Sequence, residues 1–291
     1  MNRSLLRAPA KINLTLEVLG KRPDGYHGLR SLMVPVALYD EIETEPAEGL
    51  IFTCDEPALA DDDNLVLRAA RAIGIRNLRI RLRKRIPVQA GLGGGSSDAA
   101  ALLLAARAGL FGALPDWEDL AAARSLGSDV PFFLAEGAAL VEGSGERVTP
   151  AGAIPAWAAL VVKPPTSIST AEAFRLLDER ERSQRPRNES LGLRALAALQ
   201  RADFRELTQM LGNDFHDDAL ARHTEIARAA AAIDAAGPSR ALLSGSGSSL
   251  FALYERLDDA AAAAERIALP PEYRRYVAAF CSNVAWRGAP V

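Results

Sequence analysis

The sequence predicts an α+β protein with two domains. The chain has 291 residues, which is enough for one large domain or two medium ones, each with its own core. Segments with strand-like and helix-like periodicity adjoin one another without forming regular βαβ units. The stretch 151–156 contains proline and glycine and has no periodicity, which indicates a boundary. We therefore expect one domain over residues 1–155 and a second over residues 156–291.

The first half opens with strand signals. From Ala10 to Val18 apolar and polar side chains alternate, and this period of two predicts a half-buried strand. The other segments of this half are predicted as a strand at 32–38, a helix at 64–73, a strand at 78–86, a helix from 98 to about 110, a helix at 117–126 and a buried segment at 130–134.

The second half is richer in helices. A predicted strand at 158–162 is followed by a helix that starts after Ser169 and Thr170, with Thr170 as its cap. The charged stretch 179–188 predicts a solvated loop. The remaining predictions are helices at 193–199, 204–211, 224–235 and 258–267, a strand–turn–strand unit at 241–254 and a final strand at 276–285.

Composition and charge exclude several classes of function. The net charge of −3 and the pI near 5.8 argue against general binding to nucleic acid or to anionic membranes. No stretch reaches the length of a transmembrane helix, and the first residues lack an apolar signal core. Cys54 and Cys281 are far apart, and His27, His216 and His223 are scattered, which argues against a disulfide scaffold and a zinc site. We expect a cytoplasmic protein.

The most informative segment is a glycine-rich loop that leads into an alanine-rich helix. The glycines between positions 91 and 95 have no Cβ, so their N–H groups can approach a bulky anion. Ser96 and Ser97 add hydroxyl donors and are good N-cap residues, and the following helix directs its positive end into the loop. A simple hinge is the alternative. The order of proline, glycines, paired serines and helix favours a phosphate site.

Three common phosphate motifs do not match this loop. No lysine follows the glycines as a P-loop requires, and the spacing does not fit Gly-x-Gly-x-x-Gly. The His-Arg-Asp and Asp-Phe-Gly segments of protein kinases are absent. Charged groups that assist the loop must therefore come from elsewhere in the chain.

The segment Pro87-Val-Gln-Ala-Gly-Leu-Gly-Gly-Gly-Ser-Ser-Asp-Ala-Ala resembles the nucleotide loop of the GHMP kinases, a family that includes homoserine and mevalonate kinases. The resemblance extends from Ala8 to about Ala252. It implies the two-domain GHMP kinase fold, with a nucleotide-binding N-terminal domain and an α+β C-terminal domain. It also implies ATP as phosphoryl donor, with Mg²⁺ expected beside it, and an alcohol as acceptor.

The resemblance also implies the residues that bind the nucleotide. Asn64 is similar to a position close to adenine in the family and is equally explained as an N-cap. The full set of expected nucleotide contacts is Pro87, Val88, Gln89, Ala90, Gly91, Leu92, Gly93, Gly94, Gly95, Ser96, Ser97, Asp98 and Asn64.

Two segments resemble the catalytic motifs of the family. Lys11 and Asn13 lie two residues apart on one strand face, with Cα atoms about 7 Å apart, and a solvent-facing polar strand is the alternative. The segment Gly127-Ser-Asp-Val-Pro-Phe resembles a motif whose catalytic aspartate maps to Asp129, which is otherwise a turn former. Asp129 would accept the proton of the substrate hydroxyl. Lys11 would keep Asp129 ionised and stabilise developing charge, and Asn13 would complete the catalytic set.

The acceptor site is expected from three further segments. Tyr26 and His27 resemble residues that bind cytidine in one member of the family, with Phe174 on the opposing face of the base and Thr170 nearby. A solvent-facing loop and a helix core are the alternatives. Gly245 and Gly247 resemble a loop that borders the active site, although an ordinary hairpin turn explains them equally.

These expectations define a function and its alternatives. The implied partner is a small molecule, a diphosphocytidyl sugar alcohol of isoprenoid biosynthesis, with no nucleic acid or membrane and with the chain a monomer or weak homodimer. The alternatives are a GHMP kinase for another small alcohol, of the homoserine or mevalonate type, and a catalytically silent nucleotide-binding module. Asn213-Asp-Phe also resembles a segment of the family, and no catalytic role follows for it.

Overall fold

A computed structural model of the chain describes residues 3–21, 27–115, 118–135, 137–181 and 190–282. The strands are β1 (Ser4–Asn13), β2 (Thr15–Lys21), β3 (His27–Glu45), β4 (Leu50–Cys54), β5 (Leu78–Arg83), β6 (Ala139–Gly143), β7 (Arg147–Pro150), β8 (Ala158–Lys163), β9 (Gly212–Asn213), β10 (Leu242–Leu243), β11 (Leu250–Tyr254) and β12 (Arg274–Ala279). The helices are α1 (Leu65–Ala72), α2 (Gly94–Arg107), α3 (Asp119–Leu126), α4 (Val130–Leu134), α5 (Thr170–Glu181), α6 (Leu191–Gln200), α7 (Phe204–Gln209), α8 (His216–Arg222), α9 (Thr224–Asp234) and α10 (Leu257–Arg266).

The first sheet is organised around the long strand β3. This strand of 19 residues pairs antiparallel with β1, β2, β5 and β6 along its length. The outer strands extend the sheet, with β4 parallel to β5 and β7 antiparallel to β6. The register places Lys11 opposite Pro35 and Asn13 opposite Met33, and Lys11 N donates to the carbonyl of Leu92 at 2.9 Å. Lys11 and Asn13 are therefore held by strand pairing beside the glycine-rich loop.

The second sheet has four antiparallel strands in the order β10-β11-β8-β12. Strand β8 is buried along most of its length because β11 and β12 flank it and helices cover the sheet. Its sequence is a continuous apolar run, as expected for a central strand covered on both faces. The α+β fold class is confirmed.

The two halves of the chain share a core and a sheet. One apolar cluster contains Ile12 and Val34 from the first sheet together with Val161 and Phe251 from the second. Strand β9 comes from the second half but pairs parallel with β2 of the first sheet. Because of these contacts, the relative position of the halves is determined by packing and not by a linker alone.

Helix α2 is the central helix of the first half. Its residues from Ser97 to Ala106 are buried, and the many alanines allow it to pack closely between α1, α4 and β1. It begins at Gly94, four residues earlier than the predicted start at Asp98. The prediction treated Ser96 and Ser97 as caps, but they occupy the first turn, and Gly93 is the N-cap with φ of 71°.

Other boundaries also differ from the prediction. The strand expected at 10–18 is two strands, because Leu14 lies between β1 and β2. The segment 130–134 is the short helix α4, and the patterns did not predict β4, β6, β7 or α8. The charged stretch predicted as a loop contributes its first residues to α5. Trp117, the start of a predicted helix, and residues 182–189 and 283–285 lie outside the described residues.

Two general findings concern the described residues. None of their helices combines the length and the apolarity that a membrane crossing requires. Cys54 and Cys281 are both free thiols.

Candidate active site

A cleft of about 730 Å³ lies where the two halves of the chain meet. The first half contributes Lys11, Asn13 and Asp129, together with the glycine-rich loop at Gly91 and Gly93. The second half contributes Ser167 to Thr170, Phe174, Phe215 and the loop from Gly245 to Gly247. The cleft therefore brings together about half of the residues that the motifs singled out, including residues as far apart in sequence as Lys11 and Gly247.

The glycine-rich loop ends at the N-terminus of α2. The N-cap of α2 is Gly93, which has no side chain that could accept hydrogen bonds from the N–H groups of the first turn. Glycine is favoured at position 93 because φ is 71° and a Cβ would lie only 3.0 Å from Lys11 Cγ and 3.0 Å from the ring of Phe133. Because Gly93 lines the cleft, the N-terminus of α2 with the positive end of its dipole begins at the cleft wall, an arrangement suited to phosphate.

The two glycine-containing loops of the cleft are in direct contact. Ser244 Oγ donates to the carbonyl of Gly91 at 2.9 Å, and Ser249 N donates to the carbonyl of Ala90 at 3.1 Å. A Cβ at Gly91 would lie 2.0 Å from the carbonyl oxygen of Ser244. The close approach therefore requires glycine at position 91, where φ is 73°.

Lys11, Asn13 and Asp129 form one polar network. The buried ammonium of Lys11 donates to Asn13 Oδ1 at 2.7 Å and lies 3.4 Å from Asp129 Oδ2. Asn13 Nδ2 donates to Ser31 Oγ at 2.8 Å, and that hydroxyl donates to the carbonyl of Thr15 at 2.6 Å. The chain of hydrogen bonds fixes the amide of Asn13 and, through it, the position of the ammonium.

Asp129 is placed at the start of α4 without capping it. Its side chain accepts no capping hydrogen bond from that helix, and about a quarter of its surface is accessible, at 28 %. The turn between β6 and β7 packs against Ser128, the residue before Asp129. A Cβ at Gly145 in that turn would lie 2.2 Å from the carbonyl oxygen of Ser128. The carboxylate is therefore available to the cleft, which a turn-forming role alone does not require.

An aromatic cluster forms the far end of the cleft. The ring of His27 stacks on Phe174 with centroids 4.7 Å apart, and Phe215 meets Phe174 edge-on at 5.0 Å. His27 Nε2 lies 2.6 Å from Asp178 Oδ1, which fixes the imidazole from the side of α5. Thr170 and Ser246 join α5 to the second loop through their hydroxyls, at 2.9 Å.

A buried ion-pair cluster lies beside the glycine-rich loop and the first turn of α2. Lys84 donates to Asp40 and to Asp98, the latter at 2.8 Å, and Asp40 also accepts from the N–H groups of Arg85 and Ile86. Burial raises the pKa of Asp98 to about 8, although Lys84 opposes that effect. Burial lowers the pKa of Lys84, but the two carboxylates outweigh it and raise that pKa above its usual value. The cluster joins β3, the end of β5 and the first turn of α2.

Comparisons with known proteins agree with this geometry. The family model described as GHMP kinases N terminal domain matches residues 64–137, and the model described as GHMP kinases C terminal matches residues 195–271. The chain is 44 % identical to the 4-diphosphocytidyl-2-C-methyl-D-erythritol kinase of Symbiobacterium thermophilum, over 89 % of this chain and 93 % of that protein. The chain belongs to the GHMP kinase family. The enzyme of the same name from Deinococcus radiodurans is 41 % identical over 90 % of this GHMP kinase and 87 % of that protein.

A solved structure shows that the similarity includes the three-dimensional fold. The crystal structure of a 4-(cytidine 5'-diphospho)-2C-methyl-D-erythritol kinase superposes on this GHMP kinase with a TM-score of 0.79 and 36 % identity. The superposition covers 95 % of this chain and 99 % of the other. The two-domain GHMP kinase fold that the motifs implied is confirmed.

The structure places about half of the predicted site residues of this GHMP kinase on the cleft. The predicted residues that line it are Lys11, Asn13, Gln89, Gly91, Gly93, Asp129, Thr170, Phe174, Gly245 and Gly247. His27 reaches it through Phe174. Tyr26 lies outside the described residues.

Several residues of the predicted nucleotide set do not line this cleft. Asp98 is 1 % exposed and is paired with Lys84. Asn64 is the N-cap of α1, since its Oδ1 accepts from Val66 N and its amide donates to the carbonyl of Leu59. The remaining members of the set that do not line it are Pro87, Val88, Ala90, Leu92, Gly94, Gly95, Ser96 and Ser97.

Sequence reasoning did not single out several polar residues in and beside the cleft. Ser31 accepts from Asn13, Ser244 donates to Gly91, and Ser128 packs against the turn at Gly145. Ser31 had a detectable signal, since it is a polar residue directly before the apolar run of β3. Lys84 had a weaker one, as one of only four lysines in an arginine-rich chain.

Proposed function

We propose that this kinase transfers the γ-phosphoryl group of ATP to the 2-hydroxyl of 4-diphosphocytidyl-2-C-methyl-D-erythritol, a step in the methylerythritol phosphate route to isoprenoids. The relatives and the solved structure that carry this enzyme name support the substrate. The observation that carries the chemistry is the pair of Lys11 Nζ and Asp129 Oδ2, 3.4 Å apart, in a cleft bounded by a phosphate loop and an aromatic cluster.

The reaction would proceed by direct attack of the alcohol on the γ-phosphorus. Asp129 accepts the proton of the 2-hydroxyl as the new O–P bond forms, and ADP leaves as the bond from the γ-phosphorus to the bridging oxygen breaks. The ammonium of Lys11 stabilises the negative charge on the transferring group, and Asn13 holds that ammonium in place at 2.7 Å. Most of the remaining catalysis comes from positioning the two substrates.

ATP would bind with its phosphates at the N-terminus of α2. The first-turn N–H groups and the helix dipole favour the triphosphate there. We propose that Mg²⁺ accompanies ATP, since kinase sites hold this ion through phosphate oxygens and one or two carboxylates. Asp129 and Glu172 are the carboxylates that line the cleft, and among the described residues no cluster of three His, Cys, Asp or Glu side chains suits a metal ion. When bound, the ion would neutralise phosphate charge.

The cytidine end would lie at the aromatic cluster. His27 and Phe174 stack at 4.7 Å, which leaves no space for a base between them. We therefore propose that cytosine packs against Phe174, which lines the cleft, and we keep Tyr26 as a predicted contact of the base. Thr170, Gly245 and Gly247 would contact the part of the substrate nearer the phosphates.

The organisation of the chain is also part of the proposal. Residues 1–155 would form the ATP-binding domain and residues 156–291 the C-terminal domain, a division supported by the two sheets. The enzyme would act in the cytoplasm as a monomer or weak homodimer with a small-molecule substrate and no nucleic-acid partner. The two free cysteines and the net charge of −3 support these expectations.

A comparison of acceptors tests the substrate. ADP release is measured for the diphosphocytidyl alcohol, homoserine and mevalonate at one ATP concentration, with CDP as a competitor. We expect turnover of the cytidyl substrate alone, with CDP as an inhibitor competitive against it. Turnover of homoserine or mevalonate that CDP does not inhibit would contradict the proposal.

A further inference from the structure

We propose that Asn213 is a positioning residue of this kinase, which holds the Ser244–Gly247 loop against the strand that carries Lys11 and Asn13. The inference rests on the proposed function of the cleft. Asn213 belongs to the segment Asn213-Asp-Phe, which runs from the end of β9 to the residue before α8 and for which the resemblance implied no catalytic role.

The side-chain amide of Asn213 is fully engaged on one loop. Its Nδ2 donates to the carbonyl of Leu243 at 2.7 Å and to the carbonyl of Gly245 at 2.8 Å. Its Oδ1 accepts from the N–H of Phe215 at 2.9 Å, which fixes the orientation of the amide. Both N–H donors of an asparagine are thereby used on the two carbonyls that flank Ser244.

The backbone of the same residue is tied to the other side of the cleft. Strand β9 pairs parallel with β2, so that Asn213 lies opposite Leu16, and Gly212 N donates to the carbonyl of Leu14 at 3.3 Å. The next residue also contacts β2, because Asp214 Oδ2 accepts from Val18 N at 2.7 Å. Strand β2 directly continues the strand of Lys11 and Asn13. Asn213 therefore links that strand to the loop and fixes the distance between them.

The loop that Asn213 holds lies against the reacting groups. Ser244 Oγ is 3.5 Å from Asn13 Oδ1 and donates to Gly91 O. A Cβ at Gly245 would lie 3.3 Å from Lys11 Nζ. Gly245 and Gly247 have φ of 58° and 97°, and glycines have many accessible conformations, so the loop needs external hydrogen bonds to keep one shape.

Two residues that follow Asn213 make further contacts at or beside the cleft. His216 Nδ1 accepts from Leu243 N at 3.3 Å, so Leu243 is held through both its N–H and its carbonyl. Phe215 lines the cleft and meets Phe174 edge-on at 5.0 Å. Asn213 therefore acts on the phosphate end of the cleft, while Phe215 acts on the aromatic end.

This division predicts different kinetic effects. Asn213→Asp is nearly isosteric and keeps the acceptor for Phe215 N, but it places a carboxylate oxygen against two carbonyls. The loop should shift away from Lys11, and kcat should fall about 10- to 100-fold, because a displacement near 1 Å has effects of that size. Phe215→Leu should instead raise the KM for the cytidyl alcohol severalfold and leave the KM for ATP unchanged.

The test combines steady-state kinetics with hydrogen exchange. The amides of residues 243–249 are followed by exchange mass spectrometry in the substrate-free wild type, Asn213→Asp and Asn213→Ala. Asn77→Asp is the matched control, since Asn77 is exposed and its Oδ1 accepts from Gly49 N on the far side of the sheet. We expect faster exchange of residues 243–249 and lower kcat in both Asn213 variants, and wild-type values in the control.

Each outcome decides the proposal. Asn213 variants with kcat within about twofold of the wild type and unchanged exchange would overturn it. Equal loss in all kinetic parameters, with faster exchange throughout the chain, would also overturn it, because that result indicates general destabilisation. If Asn213→Asp does not fold, Asn213→Ala decides, since it removes the donors without adding a charge. A wild type that phosphorylates no cytidyl alcohol would contradict the proposed function, and exchange would still decide whether Asn213 holds the loop.

Discussion

At the scale of single residues, the main feature of the cleft is the buried ammonium of Lys11, which contacts two other side chains. Lys11 is 3 % exposed, and its ammonium is held by Asn13 Oδ1 at 2.7 Å with Asp129 at 3.4 Å. The longer contact would let Asp129 exchange Lys11 for a substrate hydroxyl. These distances support the proposed roles, positioning for Asn13 and proton transfer for Asp129.

The first prediction concerns this proton transfer. Asp129→Asn keeps the shape of the side chain but removes the base, so kcat should fall by about two to four orders of magnitude. The melting temperature should change little, because Asp129 makes no capping hydrogen bond to α4. ADP release and thermal melts measure the two quantities. A variant that keeps kcat within about tenfold of the wild type would exclude Asp129 as the base.

The second prediction concerns the contact between the two glycine loops. Gly91→Ala places a Cβ 2.0 Å from the carbonyl of Ser244 and also strains a residue with φ of 73°. Gly109→Ala is the matched control, since its φ is 79° and no atom lies within 4 Å of the added Cβ. The control should lose about 1–2 kcal/mol of unfolding free energy, the cost of the left-handed conformation alone.

Gly91→Ala should lose at least about 2 kcal/mol more than this control, because the clash adds to the backbone strain. It should also raise the KM for ATP. Urea denaturation and steady-state kinetics measure these effects. Equal losses in the two variants would show that the loops separate easily and that their contact does not shape the site.

At the scale of secondary-structure elements, the first turn of α2 is held by the cluster of Asp40, Lys84 and Asp98. Asp40 accepts from two backbone N–H groups and from Lys84, whereas Asp98 Oδ1 has no hydrogen-bond partner among the described residues. Burial therefore favours the neutral form of Asp98 and raises its pKa to about 8.

The third prediction follows from that pKa. The folded value of about 8 lies above the unfolded value of 3.8, so the unfolded state binds fewer protons between these limits. The contribution of Asp98 to the free energy of unfolding should therefore decrease as pH rises from about 4 to 8, by at most about 1.4 kcal/mol per pH unit. Asp98→Asn removes the titration, so it should flatten the pH dependence and be more stable than the wild type near pH 8.

Urea midpoints at several pH values between 5 and 8, compared within ~0.5 kcal/mol, test this prediction. Asp62→Asn is the control, because the Asp62 side chain is 84 % exposed. A wild type and an Asp98→Asn variant with parallel pH profiles would show that Asp98 is ionised in the folded state.

The elements also show which features the sequence patterns could predict. Helix α2 was expected from its apolar content, but its start was placed four residues late because serine is the stronger capping signal and glycine is a poor helix former. Strands β6 and β7 are short and joined by a tight turn, so their alternation is too brief to detect. The cluster at Lys84 depends on tertiary proximity, since Asp40 is 44 positions away.

At the scale of the whole molecule, the two halves are joined by specific contacts beside their shared core. The buried carboxylate of Glu17 in β2 accepts from Leu191 N at 3.0 Å, Gly192 N at 2.9 Å and Ser190 Oγ at 3.0 Å. It thereby satisfies the N-terminus of α6, which belongs to the second half. The motifs predicted residues on both sides of the cleft. The contacts that join the two halves of the chain could not be predicted from the sequence.

The fourth prediction tests this joint. Glu17→Ala leaves one buried and one partly buried N–H group without their acceptor, so the free energy of unfolding should fall by about 1–3 kcal/mol. The transition should remain single, because the halves share one apolar cluster. Circular dichroism in urea measures both quantities, with exposed Glu48→Ala as control. A second transition in the variant would show that Glu17 and not the core couples the halves.

The central claim is that this cleft phosphorylates a diphosphocytidyl sugar alcohol with Asp129 as the base. The most direct measurement is phosphorus NMR of purified protein with ATP, Mg²⁺ and 4-diphosphocytidyl-2-C-methyl-D-erythritol. We predict a new phosphate monoester resonance that grows in step with ADP and is absent for Asp129→Asn. No monoester from the wild type, or an equal yield from the variant, would contradict the account.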